Sequence, residues 1–308
     1  MEELLRNWTV SLTRSGLIGF EPRTRPERFP GIKRRGSPLQ KGLQVKANPV
    51  KEKLRNGEAT VGTWLSLGDL SATRTLARAG FDWLTVDMEH WPIDWGKAAS
   101  LFGAISDAGC VPLARVPSGS HDNIKRALDS GAWGVVVPMV DTVEEAQEAI
   151  AACKYPPVGN RSLGGGLHAL NFDAPVVEYY SRANDEVLVV LMTESSSGIR
   201  NAEAIYALPG VDAVFVGPTD LRANMNSIDG EVVSDEEVEA AIQEVIGIGK
   251  RVGTPTGMHT FDPTQALDRI SEGMQFIAIS SDIHLMTTHA SEVLLAITGD
   301  TGGASATY

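Results

Sequence analysis

A chain of 308 residues can form one large barrel domain or two ordinary domains, and its 43% hydrophobic and 21% charged residues are those of a globular protein with ample core material. A net charge of -12 excludes nucleic acid as the main partner, because phosphate contacts need clustered cations. No apolar run approaches the roughly 20 residues needed to span a bilayer, so a soluble protein with no membrane partner is expected.

The charge is uneven along the chain. Residues 1–47 hold ten Lys/Arg against four Asp/Glu, a balance of +6, which leaves -18 for the remainder. This basic stretch reads as an N-terminal arm or extension ahead of an acidic body. Its Ser and Arg content also suits a mitochondrial transit peptide, but Glu2, Glu3, Glu21 and Glu27 fit that reading poorly. A cytoplasmic location is expected.

From residue 48 short β-branched runs alternate with amphipathic stretches. The runs predict strands at 61–67, 81–86, 111–116, 134–140, 187–192, 213–216, 251–255 and 276–279. Helical patterns fill the gaps at 69–79, 95–108, 122–130, 143–153, 198–207, 235–249, 263–272 and 284–297. Gly80, Gly109, Gly131 and Gly273 stand where a helix should stop. Asp262 is placed to cap the seventh helix, with Pro263 at its first position. The last ten residues, 299–308, are small and polar and read as a flexible tail. Cys110 and Cys153 have no close spacing, so they read as small buried residues and make no zinc cluster.

Near-continuous hydrophobic strands joined by helices imply parallel strands covered on both faces. Eight such units in roughly 250 residues match a (β/α)₈ (TIM) barrel, an α/β fold, over residues 48–298. A doubly wound open sheet shares the alternation, but no Gly-rich dinucleotide fingerprint follows the first strand.

Barrel enzymes gather their catalytic groups at the C-terminal ends of the strands. Here the second strand runs into Asp87-Met88-Glu89-His90 and the third ends at Arg115. The fifth ends at Thr193-Glu194, and the sixth runs into Gly217-Pro218-Thr219-Asp220. Each residue has a plainer reading. Asp220 can cap a turn, His90 can be a structural histidine, and Arg115 can make a structural ion pair. Glu194 is harder to dismiss, since a carboxylate after a strongly apolar run needs a partner or a metal. Oxygen ligands without Cys point to Mg²⁺ or Mn²⁺, with other divalent ions possible. Such a site binds a 2-oxo acid and stabilises its enolate.

At these residues the sequence resembles the HpcH/HpaI class II (metal-dependent) pyruvate aldolases, within the phosphoenolpyruvate/pyruvate barrel superfamily. The resemblance spans residues 48–298. It rests on Val86-Asp87-Met88-Glu89-His90, Ala114-Arg115-Val116-Pro117, Tyr155-Pro156-Pro157 with Gly159 and Arg161, Thr193-Glu194, and Gly217-Pro218-Thr219-Asp220-Leu221. It implies that Glu194 and Asp220 hold the metal and that Arg115 polarises the keto oxygen. It further implies that His90 is the acid/base, oriented by Asp87 or Asp129, and that the backbone N–H groups of Thr219 and Asp220 receive the pyruvate carboxylate. Family members are typically hexamers, so the resemblance implies a homo-oligomer whose last helix packs on a neighbouring barrel.

The chain departs from the family at Trp91 for Gly, Met192 for Gln and Arg222 for Ser. Trp91 is expected to crowd the mouth. With Arg222 and the Ser162-Leu163-Gly164-Gly165-Gly166-Leu167-His168 loop, read as a mobile lid, it is expected to shape an aldehyde pocket. The expected activity is cleavage of a 4-hydroxy-2-oxo acid to pyruvate and an aldehyde. Oxaloacetate decarboxylation or a macrophomate-synthase-like reaction uses the same enolate, and a non-catalytic barrel scaffold is the third reading.

Overall fold

The computed structural model describes residues 45–225 and 232–299, together with the backbone of two short strands nearer the N-terminus. Contacts divide the chain into two units, Met1–Gly42 and Leu43–Tyr308. In the first unit β1 (Trp8–Leu12) and β2 (Ile18–Pro22) pair antiparallel, with Val10 opposite Phe20. The side chains of the basic extension up to residue 44 and the expected tail beyond Gly299 lie outside the described residues.

The second unit is a closed barrel of eight parallel strands. They are β3 (Thr60–Leu65), β4 (Trp83–Asp87), β5 (Val111–Arg115), β6 (Gly134–Val137), β7 (Leu188–Thr193), β8 (Ala213–Val216), β9 (Thr256–Thr260) and β10 (Phe276–Ser281), with β10 closing on β3. This is the (β/α)₈ architecture expected from the alternation.

Both faces of these strands are apolar because both are covered. Inward residues such as Trp83, Leu113, Val190, Phe215 and Phe276 fill the barrel, with Trp83 stacked on Phe276 at 4.3 Å. Room for those rings comes from a missing side chain: a Cβ on Gly62 would lie 2.1 Å from the Trp83 ring. Outward residues, among them Leu84, Val86, Val135, Val189 and Val214, form a second core with the surrounding helices.

Those helices include α1 (Pro49–Arg55), α2 (Leu70–Leu76), α3 (Trp95–Asp107), α4 (His121–Asp129), α5 (Val143–Cys153), α6 (Leu167–Asn171) and α7 (Val176–Glu186). After β7 come α8 (Ser196–Tyr206), α9 (Pro218–Met225), α10 (Asp235–Val252), α11 (Pro263–Ser271) and α12 (Asp282–Thr298). None is long and apolar enough to cross a membrane. Asp262 caps α11 as expected, its Oδ1 accepting from the Thr264 and Gln265 amides. Both cysteines are buried, and burial pushes each thiol up to about 12.

Helix α1 closes the N-terminal end of the barrel. Asn48 caps it through Oδ1, Val50 and Leu54 enter the inner core, and Lys51 Nζ reaches Asp212 at 2.9 Å.

The seventh strand differs from the expectation. Residues 251–252 belong to α10, which Gly253 ends in a left-handed conformation (φ +79°) that only glycine adopts cheaply. The strand follows at Thr256–Thr260. Arg251-Val252 reads as β-branched material on its own, but it continues the amphipathic face of α10.

Candidate active site

Strand register brings the first pair of groups together. Asp87 and Arg115 are the terminal cross-strand partners of β4 and β5. Their side chains therefore meet as a bidentate ion pair, Arg115 Nε donating to Asp87 Oδ1 at 2.9 Å and Nη2 donating to Oδ2. Asp87 is also tied to the chain after it, accepting from the amides of Glu89 (3.1 Å) and His90 (3.3 Å). Arg115 lies over the Trp64 ring at 4.5 Å, and Trp64 Nε1 donates to His259 Nδ1 at 2.8 Å. Burial works against the guanidinium charge, but the hydrogen bonds and charge of Asp87 outweigh it and raise its pKa.

The second pair follows from the register of β7 and β8. Thr193 faces Val216, so Glu194 emerges beside Gly217. A Cβ on Gly217 would lie 2.2 Å from Glu194 Oε1, which shows that the carboxylate rests against bare backbone. Glu194 Oε2 accepts from the Met139 amide at 2.9 Å, and Met139 adopts φ +52° at that position. Asn224 of α9 donates to the carbonyls of both Glu194 (3.1 Å) and Asp220 (2.9 Å), tying together the backbones that carry the two acids.

Glu194 is 2% exposed, and its carboxyl is pushed up to about 7. Burial is the main cause, and the charges of Asp220 and Glu89 add to it against the Met139 hydrogen bond and Arg115. Glu89 is raised as well, by burial first. Anionic groups are thus crowded in a dry place, an arrangement that a divalent cation relieves. Among the described residues no three His, Cys, Asp or Glu side chains converge as a metal cluster. Glu194 and Asp220 offer two hard carboxylates in one cavity wall, and oxygen donors of this kind fit a Mg²⁺-like ion.

These groups line one cavity of about 350 Å³ at the C-terminal mouth of the barrel, with Asp87, His90, Arg115, Glu194, Gly217, Thr219 and Asp220 in its wall. Thr219 and Asp220 lie in the first turn of α9, where amides have no intrahelical acceptor, so their N–H groups are available to an anion. His90 is half exposed, and its Nε2 lies 3.6 Å from Glu89 Oε2. Glu89 also reaches Arg115 Nε at 3.4 Å, linking the imidazole to the guanidinium.

Other expected residues are elsewhere. Asp129 does not line the cavity, and its Oδ1 accepts from Arg161 Nη2 at 2.7 Å. Trp91 packs against the outer core instead of crowding the mouth. Arg222 pairs with Asp235 at 2.5 Å, outside the lining. The Gly-rich loop is also absent from the wall, and its His168 is fully buried. The wall opposite the acids is made by Trp64, His259, Phe261, Ser280, Ser281 and His284. Trp64 lay within the first expected strand without a motif, and the others were missed because sequence reasoning ended the seventh and eighth strands at 255 and 279. The glycine stop at Gly253 was the available signal for placing His259 at a strand end.

Known proteins share this arrangement's chain. The model of the HpcH/HpaI aldolase/citrate lyase family matches residues 60–289. The 2-dehydro-3,6-dideoxy-6-sulfogluconate aldolase of Pseudomonas putida is 37% identical over 246 residues, covering 80% of this chain and 95% of that protein. A hydroxypyruvate/pyruvate aldolase of Paraburkholderia phytofirmans is 34% identical over 253 residues, 80% of this chain and 96% of that one. The crystal structure of an HpcH/HpaI aldolase/citrate lyase family protein from Burkholderia cenocepacia superposes with a TM-score of 0.76 at 35% identity, over 82% of this chain and 99% of that one. The chain belongs to the HpcH/HpaI aldolase/citrate lyase family and is an enzyme of its aldolase type.

Proposed function

We propose that the protein is a divalent-cation-dependent aldolase that cleaves a 4-hydroxy-2-oxo acid to pyruvate and an aldehyde. The observation that carries this reading is one cavity in which the buried Glu194 carboxylate and Asp220 share the wall with an Arg115 guanidinium fixed by Asp87 and Trp64. The names of the relatives support the pyruvate part of it.

Glu194 and Asp220 would hold Mg²⁺ or Mn²⁺, which when bound supplies Lewis-acid polarisation of a 2-oxo acid. Thr219 and Asp220 donate backbone N–H groups to the substrate carboxylate. Arg115, with Nε and Nη2 engaged by Asp87, has Nη1 to donate to the keto oxygen as negative charge develops there. His90 removes the proton of the C4 hydroxyl, the C3–C4 bond breaks, and the electron pair becomes the enolate of pyruvate while the aldehyde departs. Asp87 positions His90 through its backbone amide, and Glu89 stabilises the imidazolium. A proton delivered to C3 completes pyruvate.

Residues 48–298 are read as the catalytic barrel, with 1–47 as an extension, 299–308 as a tail and α12 as the contact between subunits of a homo-oligomer. The deciding measurement is exchange of the pyruvate C3 protons with deuterated solvent, followed by NMR with Mg²⁺ or Mn²⁺ present. It needs only the enolate half of the reaction. Exchange that Glu194→Gln abolishes, together with aldol cleavage that His90→Ala abolishes, supports the assignment, and no exchange with any divalent ion overturns it.

A further inference from the structure

The cavity wall contributed by β9 and β10 has no task in forming the enolate. Ser280 is its most unusual member. Its φ is +57°, a conformation that glycine adopts at far less cost than serine. It sits where the register of β10 against β3 slips between Ala278 and Ser281, so the strand bulges at that point. Thr63 clamps the bulge, its Oγ1 donating to the carbonyls of Ile279 (2.7 Å) and Ser280 (3.1 Å). The side chain is 3% exposed, and its Oγ has no hydrogen-bond partner. A strained backbone and an unsatisfied buried hydroxyl each cost stability, and they coincide in the wall of the barrel's reaction cavity.

His259 stands in the same wall. Its Nδ1 accepts from Trp64 Nε1, so the neutral ring carries its proton on Nε2 and is fixed as a donor. Burial, then the charge of Arg115, holds its pKa down to about 4, so the ring is uncharged near neutrality. Among the described residues lining the cavity, Arg115 is the one Arg or Lys, and Asp87 already engages it. A substrate reaching this wall meets the Ser280 hydroxyl and the uncharged His259 ring and no free guanidinium or ammonium.

We infer that Ser280 and His259 form the subsite for the second fragment of the substrate, and that this fragment is a neutral hydroxyaldehyde whose hydroxyl takes Ser280 Oγ as partner. Aldehydes bearing a carboxylate, sulfonate or phosphate are disfavoured because this wall offers no guanidinium or ammonium to compensate their charge. The inference rests on the aldolase reading.

Its test compares aldol addition of pyruvate to glyceraldehyde, propanal and succinic semialdehyde, with Mn²⁺ supplied, in the wild type, Ser280→Ala and Ser280→Gly. The glycine variant relieves the positive φ and therefore folds, while both variants remove the hydroxyl. The wild type should favour glyceraldehyde over propanal and over the semialdehyde by about tenfold or more in kcat/KM. Both variants should lose most of the glyceraldehyde preference while pyruvate C3 exchange, which needs no aldehyde, persists. An unchanged preference in both variants, or a wild type that favours the semialdehyde, overturns the inference and leaves the aldolase reading standing. Failure of the wild type to exchange pyruvate protons overturns both.

Discussion

Gly217 owes its place to the carboxylate beside it. Because Glu194 Oε1 lies 2.2 Å from where a Cβ would be, Gly217→Ala must displace the carboxylate from its place. We expect Mn²⁺ affinity, measured by calorimetry, to fall about tenfold or more with the circular dichroism spectrum retained. Unchanged affinity would remove Glu194 from the cation site. A second residue-scale consequence concerns two imidazoles, the buried His168 and the part-buried His259. Burial first, then the charge of Arg161 or Arg115, holds both down to about 4. The folded chain keeps these rings neutral at pH values where the unfolded chain, with ordinary values near 6.5, already binds protons. Their contribution is therefore complete above about pH 6.5, is lost as pH falls toward 4, and changes little below that. Each ring accounts for up to about 3 kcal/mol of that loss. His259→Asn, which keeps an acceptor for Trp64, should flatten about half of the slope in chemical-denaturation stability over this window. An identical slope in the variant would refute the assignment.

At the scale of elements, local signals and observed boundaries agree where a cap or stop is strong. Helix α5 (Val143–Cys153) starts at a Thr142/Glu145 capping box and matches the expected span. Helix α11 starts at Asp262-Pro263, and Asp262→Ala should cost about 1 kcal/mol, lowering the melting temperature by roughly 2–4 °C in a domain of this size. A melting temperature within 1 °C or so of the wild type would show that the cap is dispensable. Agreement fails where an element depends on what it packs against. Strand β9 was displaced because its composition, Thr256-Gly257-Met258-His259-Thr260, is less apolar than the end of α10. It is held between β8 and β10, with Gly257 facing both Phe215 and Phe276. Helices α1, α6, α7 and α9 went unread as well.

For the molecule as a whole, α12 is the element out of balance. Leu285, Met286, Val293, Leu294, Leu295 and Ile297 are exposed on it, while Asp282 is its one buried residue. An apolar helix face left in water is the usual mark of an interface, in keeping with the homo-oligomer proposed above. Leu294→Glu combined with Ile297→Glu should reduce the mass measured by light scattering toward that of a single chain. A mass unaffected by both charges would place the subunit contact elsewhere.

The barrel and its strand-end acids follow from sequence alone, because period, covered strands and strand-end position are properties of short segments. Only the closed sheet decided which of those residues share a cavity. Asp129, Trp91 and Arg222 sit in promising motifs, yet the fold turns them toward Arg161, the outer core and Asp235. His259, Ser280, Met139 and Asn224 carried no motif. Each became part of the site through contacts between strands or turns far apart in the chain, such as the Met139 amide on Glu194 and the one-residue bulge of β10 against β3. Register and close approach are set by packing over the whole barrel, and no local window of sequence contains them.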